Sequence, residues 1–241
     1  LQEGDSEEHI LRRVGIFYFL WKKIFKKANF IQAISNYLAV FAKKHGAKAP
    51  VEIVPNGVNL GRIEKKSDGK TVITTSRLVK KNGLDILIKA VSKIPEAKLL
   101  ILGSGPEEEN LKELAKDLKL ENRIDFLGHI EPDRISEYLK RADVFVRPSR
   151  SEGLGSSFLE AMAAGLPIIG TPVGGIPDFL KDGETGLFSK VDDPDDLAGE
   201  IKMILGNESL RNKLSQNGFN LVKEKYSWDL IADKMGGIFK K

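Results

Sequence analysis

The run Thr71–Gly103, TVITTSRLVKKNGLDILIKAVSKIPEAKLLILG, decides the fold class. TVITTS (Thr71–Ser76) is β-branched and apolar and reads as a strand. GLDILIKAVSKI (Gly83–Ile94) carries apolar residues at helical spacing and reads as an amphipathic helix. AKLLILG (Ala97–Gly103) reads as a buried strand. Strand, helix and strand in one short run make a βαβ unit, and largely apolar strands imply a parallel sheet covered on both faces.

The alternation continues toward the C-terminus. Pro106–Leu120 reads as a helix with Pro in its first turn and acids near its positive end. Arg123–His129 reads as a strand, Pro132–Ala142 as a helix and Asp143–Ser149 as a strand. A helix around Glu160 follows, then a strand at Leu166–Thr171 and a short helix near Ile176–Leu180. The remainder is helical, over Pro194–Leu205, Glu208–Lys225 and Trp228–Phe239. The expected fold class is therefore α/β, a Rossmann-like parallel sheet with helices on both faces. In such sheets ligands bind beyond the carboxyl ends of the strands. That directs attention to the loops 77–83, 103–106, 129–131, 148–157 and 171–175.

The first 50 residues read differently. Leu11–Phe41 is helix-prone and contains GIFYFLWKKIFKKANF, where large apolar side chains alternate with lysines. A boundary is expected near Ala47–Pro50. The chain has 241 residues, 41% hydrophobic and 30% charged, as in soluble globular proteins. A net charge of +4 suits an anionic ligand or an anionic surface and calls for no nucleic-acid partner. Without cysteine, disulfides and thiolate metal sites are excluded, and three histidines make no metal centre expected. No apolar run reaches membrane-span length, and no signal-peptide pattern stands at the start. The expected location is cytoplasmic. The start at Leu1 suggests a piece of a longer chain.

Chemistry concentrates in SEGLGSSFLEAMAAGLPIIGTP, Ser151–Pro172. Glu160 sits in an apolar run that reads as a helix buried nearly all round, where a carboxylate is costly unless paired. It could pair with a nearby Lys or Arg, or accept hydrogen bonds from a ligand diol such as a ribose. Gly153 and Gly155 let a ligand approach the backbone, and a helix N-terminus favours an anion. Glu152 reads either as an ordinary loop acid or as a contact to sugar hydroxyls that orients the reacting carbon. Arg77, Lys80 and Lys81 lie beyond a strand end. They form either a solvated basic turn or a clamp for a diphosphate that needs no metal.

With these residues in view, the chain resembles the retaining glycosyltransferases of the GT-B fold, and within them the glycogen-synthase-like family four. The resemblance rests on Glu152, seven residues, then Glu160, and on ordered motifs: IVPNGVNL (Ile53–Leu60), SRLVKKNGLDILIKA, LLILGSGPE, FLGHI, ADVFVRPS, GGIPDFLKDGETGLF and YSWDLIADKM. It implies a fold corresponding to the C-terminal half of a GT-B protein. Residues 1–48 would be the tail of the N-terminal acceptor domain with the linker. Residues 49–226 would be the donor-binding domain, and residues 227–241 a helix crossing back. It implies transfer of a sugar from a nucleoside-diphosphate sugar (UDP-, GDP- or ADP-linked) to a hydroxyl acceptor, glycan or lipid-linked, with retained configuration and no metal or other cofactor. Arg77 and Lys81 would hold the diphosphate. Glu160 would hold the ribose and Glu152 the sugar. The amides of Gly153, Leu154, Gly155 and Ser156 would meet sugar or phosphate, and the backbone near His129 and Ile130 the base.

Two positions depart from the family pattern. Asn82 stands where the family places Lys, so Lys81 is assigned to the clamp, and Ser104 stands where an acid is usual. By the resemblance, most of an acceptor domain would lie outside these 241 residues, and this stretch by itself is expected to be inactive in transfer. Residues 16–27 could lie on an anionic membrane at its inner face or pack against the missing domain. Alternative readings are a nucleotide-binding module without transferase activity and a non-hydrolysing sugar-nucleotide epimerase.

Overall fold

The structure, a computed structural model, describes residues 4–61 and 68–239. Residues 1–3 and 240–241, the two ends of the expected segments, lie outside the described residues.

The chain opens with helices α1 (Glu7–Val14) and α2 (Tyr18–Lys27), strand β1 (Ile31–Ala33), helix α3 (Asn36–Lys44) and strand β2 (Val51–Ile53). A six-stranded sheet follows, built from β3 (Thr71–Thr75), β4 (Lys98–Leu102), β5 (Ile124–Gly128), β6 (Val144–Arg147), β7 (Ile168–Gly170) and β8 (Leu187–Phe188). Its helices are α4 (Leu84–Ser92), α5 (Glu108–Asp117), α6 (Ile135–Leu139), α7 (Ser156–Ala163), α8 (Pro194–Gly206), α9 (Glu208–Lys225) and α10 (Trp228–Phe239).

The six strands are parallel, in the order β5-β4-β3-β6-β7-β8. This is the doubly wound Rossmann order, with the direction of winding reversing between β3 and β6. Alternate residues of each strand feed opposite cores. Ile73, Leu100, Phe145 and Ile168 pack with α7 on one face. Val72, Leu99, Val144 and Ile169 pack with α4 and α8 on the other. Phe145 is fully buried, and burial of such a side chain contributes about 1.5–3 kcal/mol. Asp143 closes the entry of β6 against β3 by accepting the Thr71 amide at 3.0 Å.

Several sequence expectations need correction. The helix-prone stretch from Leu11 to Phe41 is broken by β1, which pairs in parallel with β2 across the expected boundary near residue 48. Leu38 and Ala39 of α3 join the main core, so this segment packs onto the sheet domain. Pro106 precedes α5 by two residues, outside its first turn. The helix carrying Glu160 is not buried all round: Glu160 is exposed on its one open face.

At the winding reversal the loops leaving β3 and β6 meet closely. Gly83 has φ +69°, and a Cβ there would stand 2.0 Å from the Pro148 carbonyl oxygen. Substitution Gly83→Ala should therefore lower stability by at least about 2 kcal/mol in urea unfolding. An unchanged midpoint would show that the loops are not held this tightly.

Candidate active site

The reversal point carries an open cavity of about 1060 Å³, walled by the loop after β3, the loop after β6 and the first turn of α7. Arg77, Lys81, Glu152, Ser156 and Glu160 all line it, so five of the sequence-selected residues converge. A second cavity of about 390 Å³ adjoins through Arg77 and is lined by Ser104, His129 and Ile130.

The loop after β3 is tightly built. Asn82 is buried and donates its side-chain amide to the Arg77 carbonyl at 2.7 Å, closing the turn on itself. Arg77 is exposed between the two cavities. Lys81 reaches Asp5, from the start of the chain, at 2.7 Å. The Lys81 hydrogen bond and charge outweigh burial and hold the Asp5 carboxyl below its ordinary range. The Gly4 carbonyl accepts from Ser151 Oγ at 3.0 Å, so residues 4–5 lie along the cavity wall.

Arg150 joins the two loops. Its backbone amide donates to the Lys81 carbonyl at 2.7 Å and its guanidinium to the Lys80 carbonyl at 2.5 Å. The same guanidinium forms a two-pronged pair with Asp85 at 2.9 and 2.8 Å and meets Asp192 at 2.6 Å. Burial pushes Asp85 up, and the Arg150 hydrogen bonds and charge overcome it, leaving the carboxyl below the usual value.

Glu152 is ion-paired with Arg147, the last residue of β6. Its other oxygen accepts the Gly153 amide at 3.0 Å. That amide is therefore engaged within the loop, and Leu154 faces the core. Gly155, at φ 93°, is the N-cap of α7, and no side chain caps the helix. Ser156 Oγ accepts from Asn56 at 3.2 Å. Glu160 opens to the cavity between these walls; they strip water from its carboxyl on the protein side and push it above the ordinary value, with Arg147 pulling it down.

Arg147, Arg150, Asp5 and Asn56 escaped the sequence reading. Arg147 carried a signal, a charge closing an otherwise apolar strand. Arg150 and Asp85 lie 65 positions apart, and Lys81 and Asp5 lie 76 apart, so no local spacing links them. Among the described residues no group of three or more His, Asp or Glu side chains is arranged to hold a metal ion. The arrangement offers the cations Arg77, Lys80 and Lys81, an uncapped helix start and the carboxylates Glu152 and Glu160 around one cavity, with Asp5 on its rim. That combination suits an anion with hydroxyl groups attached.

The family model for glycosyl transferases group 1 matches residues 59–221, more than half of the chain. The chain is 33% identical over 196 residues to the lipopolysaccharide core biosynthesis glycosyltransferase LpsE of Rhizobium meliloti, covering 78% of this chain and 57% of that protein. It is 32% identical over 246 residues to a GDP-mannose-dependent monoacylated alpha-(1-6)-phosphatidylinositol monomannoside mannosyltransferase of Corynebacterium glutamicum, covering 91% and 64%. The chain thus spans less than two thirds of the length of either relative. Sucrose-phosphate synthase from Thermosynechococcus elongatus superposes with a TM-score of 0.87 at 27% identity, over 92% of this chain and 60% of that one. Anabaena Alr3699/HepE, solved with UDP-glucose, shares the fold with a TM-score of 0.89 at 20% identity, over 100% and 71%. On the family match and the parallel Rossmann-like sheet it accompanies, the chain belongs to the group 1 glycosyl transferases and has the fold of their GT-B neighbours.

Proposed function

We propose that this chain is the donor-binding part of a retaining glycosyltransferase that moves a sugar from a nucleoside-diphosphate sugar to a hydroxyl acceptor. The observation that carries the reading is the convergence of Arg77, Lys81, Glu152 and Glu160 on one cavity at the winding reversal. Arg77 and Lys81 are the diphosphate clamp. When the anomeric C–O bond breaks, its electron pair stays on the leaving phosphate oxygen, and fixed cations stabilise that charge without a metal. Asn82, folded into its own turn, leaves this role to Lys81. Asp5 then competes with the diphosphate for the Lys81 ammonium.

Glu160 takes the ribose hydroxyls, because its carboxylate opens to the cavity one turn into α7. Glu152 takes the sugar hydroxyls. The uncapped amides at the start of α7 face the phosphate, while the Gly153 amide serves Glu152. The smaller cavity near His129 and Ile130 takes the base. The donor is a UDP-, GDP- or ADP-sugar, and the acceptor a glycan or a lipid-linked glycan. The relatives are consistent with this range: one is named for GDP-mannose, and one neighbour was solved with UDP-glucose. Donor binding is the property of this chain; transfer needs the acceptor side as well.

The surface of residues 16–27 is the proposed contact with an anionic membrane at its cytoplasmic side. Ile16, Phe17, Phe19 and Ile24 are exposed at 84%, 61%, 60% and 66%, beside Lys22, Lys23, Lys26 and Lys27. Apolar side chains enter the interface there and lysines meet the head groups. No described helix is long and apolar enough to cross a membrane.

Two measurements test these readings. Calorimetric titration with UDP, GDP and ADP should show metal-independent binding of one of them. Glu160→Ala should weaken that binding by about 1–3 kcal/mol. Arg77→Ala should weaken the diphosphate far more than the bare nucleoside. Because Glu160 titrates above the ordinary range, affinity should fall on acidification sooner than an ordinary glutamate would cause. Equal affinity in the Glu160 variant, or equal losses for both ligands in the Arg77 variant, would remove that residue from the site. In vesicle sedimentation, phosphatidylglycerol vesicles should retain the protein at low salt and neutral phosphatidylcholine vesicles should not. Phe17→Ser with Phe19→Ser should release it; unchanged retention would refute the membrane contact.

A further inference from the structure

The geometry points to Arg147 as a positioning residue for the donor sugar, one that locks Glu152 and the first turn of α7 into a single unit. The proposal rests on the donor-site reading above. Val144, Phe145 and Val146 of β6 are completely buried, and Arg147 that follows them is only 7% exposed. A guanidinium at such a place loses most of its hydration and needs compensation. Three contacts supply part of it, while its buried Nε has no hydrogen-bond partner among the described residues. One nitrogen of the fork pairs with Glu152 and another donates to Ser157 Oγ at 2.8 Å. The guanidinium carbon lies 4.9 Å from the centre of the Phe158 ring.

These partners flank the glycine loop on both sides. Glu152 precedes Gly153, and Ser157 and Phe158 follow Gly155. A loop of Gly-Leu-Gly has few side chains with which to fix its own shape, and Gly155 adopts φ 93°. The planar fork of Arg147 spans it and sets the separation of the acid from the helix. Lysine, a compact charge with three rotatable donors on a flexible stem, does not hold the two ends at a fixed separation. The backbone of Glu152 is fixed too: its carbonyl accepts the Gly175 amide at 3.3 Å, and a Cβ on Gly174 would stand 1.7 Å from that carbonyl oxygen. Each carboxylate oxygen of Glu152 keeps a lone pair for a ligand hydroxyl. Arg147 therefore acts on the sugar through Glu152, while the diphosphate rests on Arg77, Lys81 and the first amides of α7, whose backbone the helix itself holds.

The test is titration of the parent chain and of Arg147→Lys and Ser157→Ala, each checked for an unchanged melting temperature. The probes are UDP, GDP and ADP, and UDP-glucose, UDP-N-acetylglucosamine, GDP-mannose and ADP-glucose. In Arg147→Lys the affinity for the preferred nucleoside diphosphate should stay within about threefold, while the extra affinity conferred by the sugar should fall at least about tenfold. Ser157→Ala, which frees only the α7 end, should lose part of that extra affinity. A purely structural role would lower the melting temperature and weaken both ligand classes together. Unchanged sugar-dependent affinity in both variants overturns the positioning role and leaves the donor-site reading standing. A parent that binds the diphosphate but gains nothing from the sugar also overturns it, since Glu152 then has no sugar to meet. A folded parent that binds none of the probes overturns both readings.

Discussion

The site depends on the adjacency of β3 and β6, the two strands at which the sheet reverses its winding. Their carboxyl ends lie side by side, so the loops that leave them must diverge to opposite faces and open a crevice. Arg150 keeps the two loops at a fixed separation by holding the carbonyls of Lys80 and Lys81 while it is anchored on Asp85 at the start of α4. Gly83 lets the backbones approach where any Cβ would collide. The cations of one loop and the carboxylates of the other thus face each other across a cavity that the packing of the sheet creates.

Charge is distributed unevenly around that cavity. The buried arginine, Arg147, has an acid at hand, and the buried asparagine closes its own turn. The side chains left open include Arg77, Lys80 and Glu160, and Lys81 is joined to the chain's first described segment by Asp5. The outer groups can be rearranged by a ligand at small cost, because exposed ion pairs contribute roughly 0–1 kcal/mol. The inner ones are held by several contacts each. A rigid inner layer beneath a yielding outer one is the arrangement expected of a preformed binding site.

The fold was legible because its strands are two-sided. In β4 and β6 almost every residue is apolar, since one set of alternate residues feeds each core, and the intervening helices show 3.6-residue spacing. β1 and β2 were not legible: three residues are too few to display a period, and their partners lie beyond the expected boundary. Glu160 was legible as an anomaly, but its exposure was not, because sequence shows that a residue interrupts an apolar run and not which side of the helix is open. Asn82 marked a departure at the clamp, and its physical reason, a bond to the Arg77 carbonyl, needed the turn geometry. Arg150 with Asp85 and Lys81 with Asp5 join distant parts of the chain, and no local pattern encodes such pairs.

The most direct test of the donor-site account is a crystal structure of this chain grown with whichever of UDP, GDP or ADP binds it. The account predicts the diphosphate between Arg77, Lys81 and the first amides of α7, the ribose hydroxyls on Glu160, and the base beside His129 and Ile130. A nucleotide seated in any other cavity, or one turned so that its ribose lies away from Glu160, would contradict it.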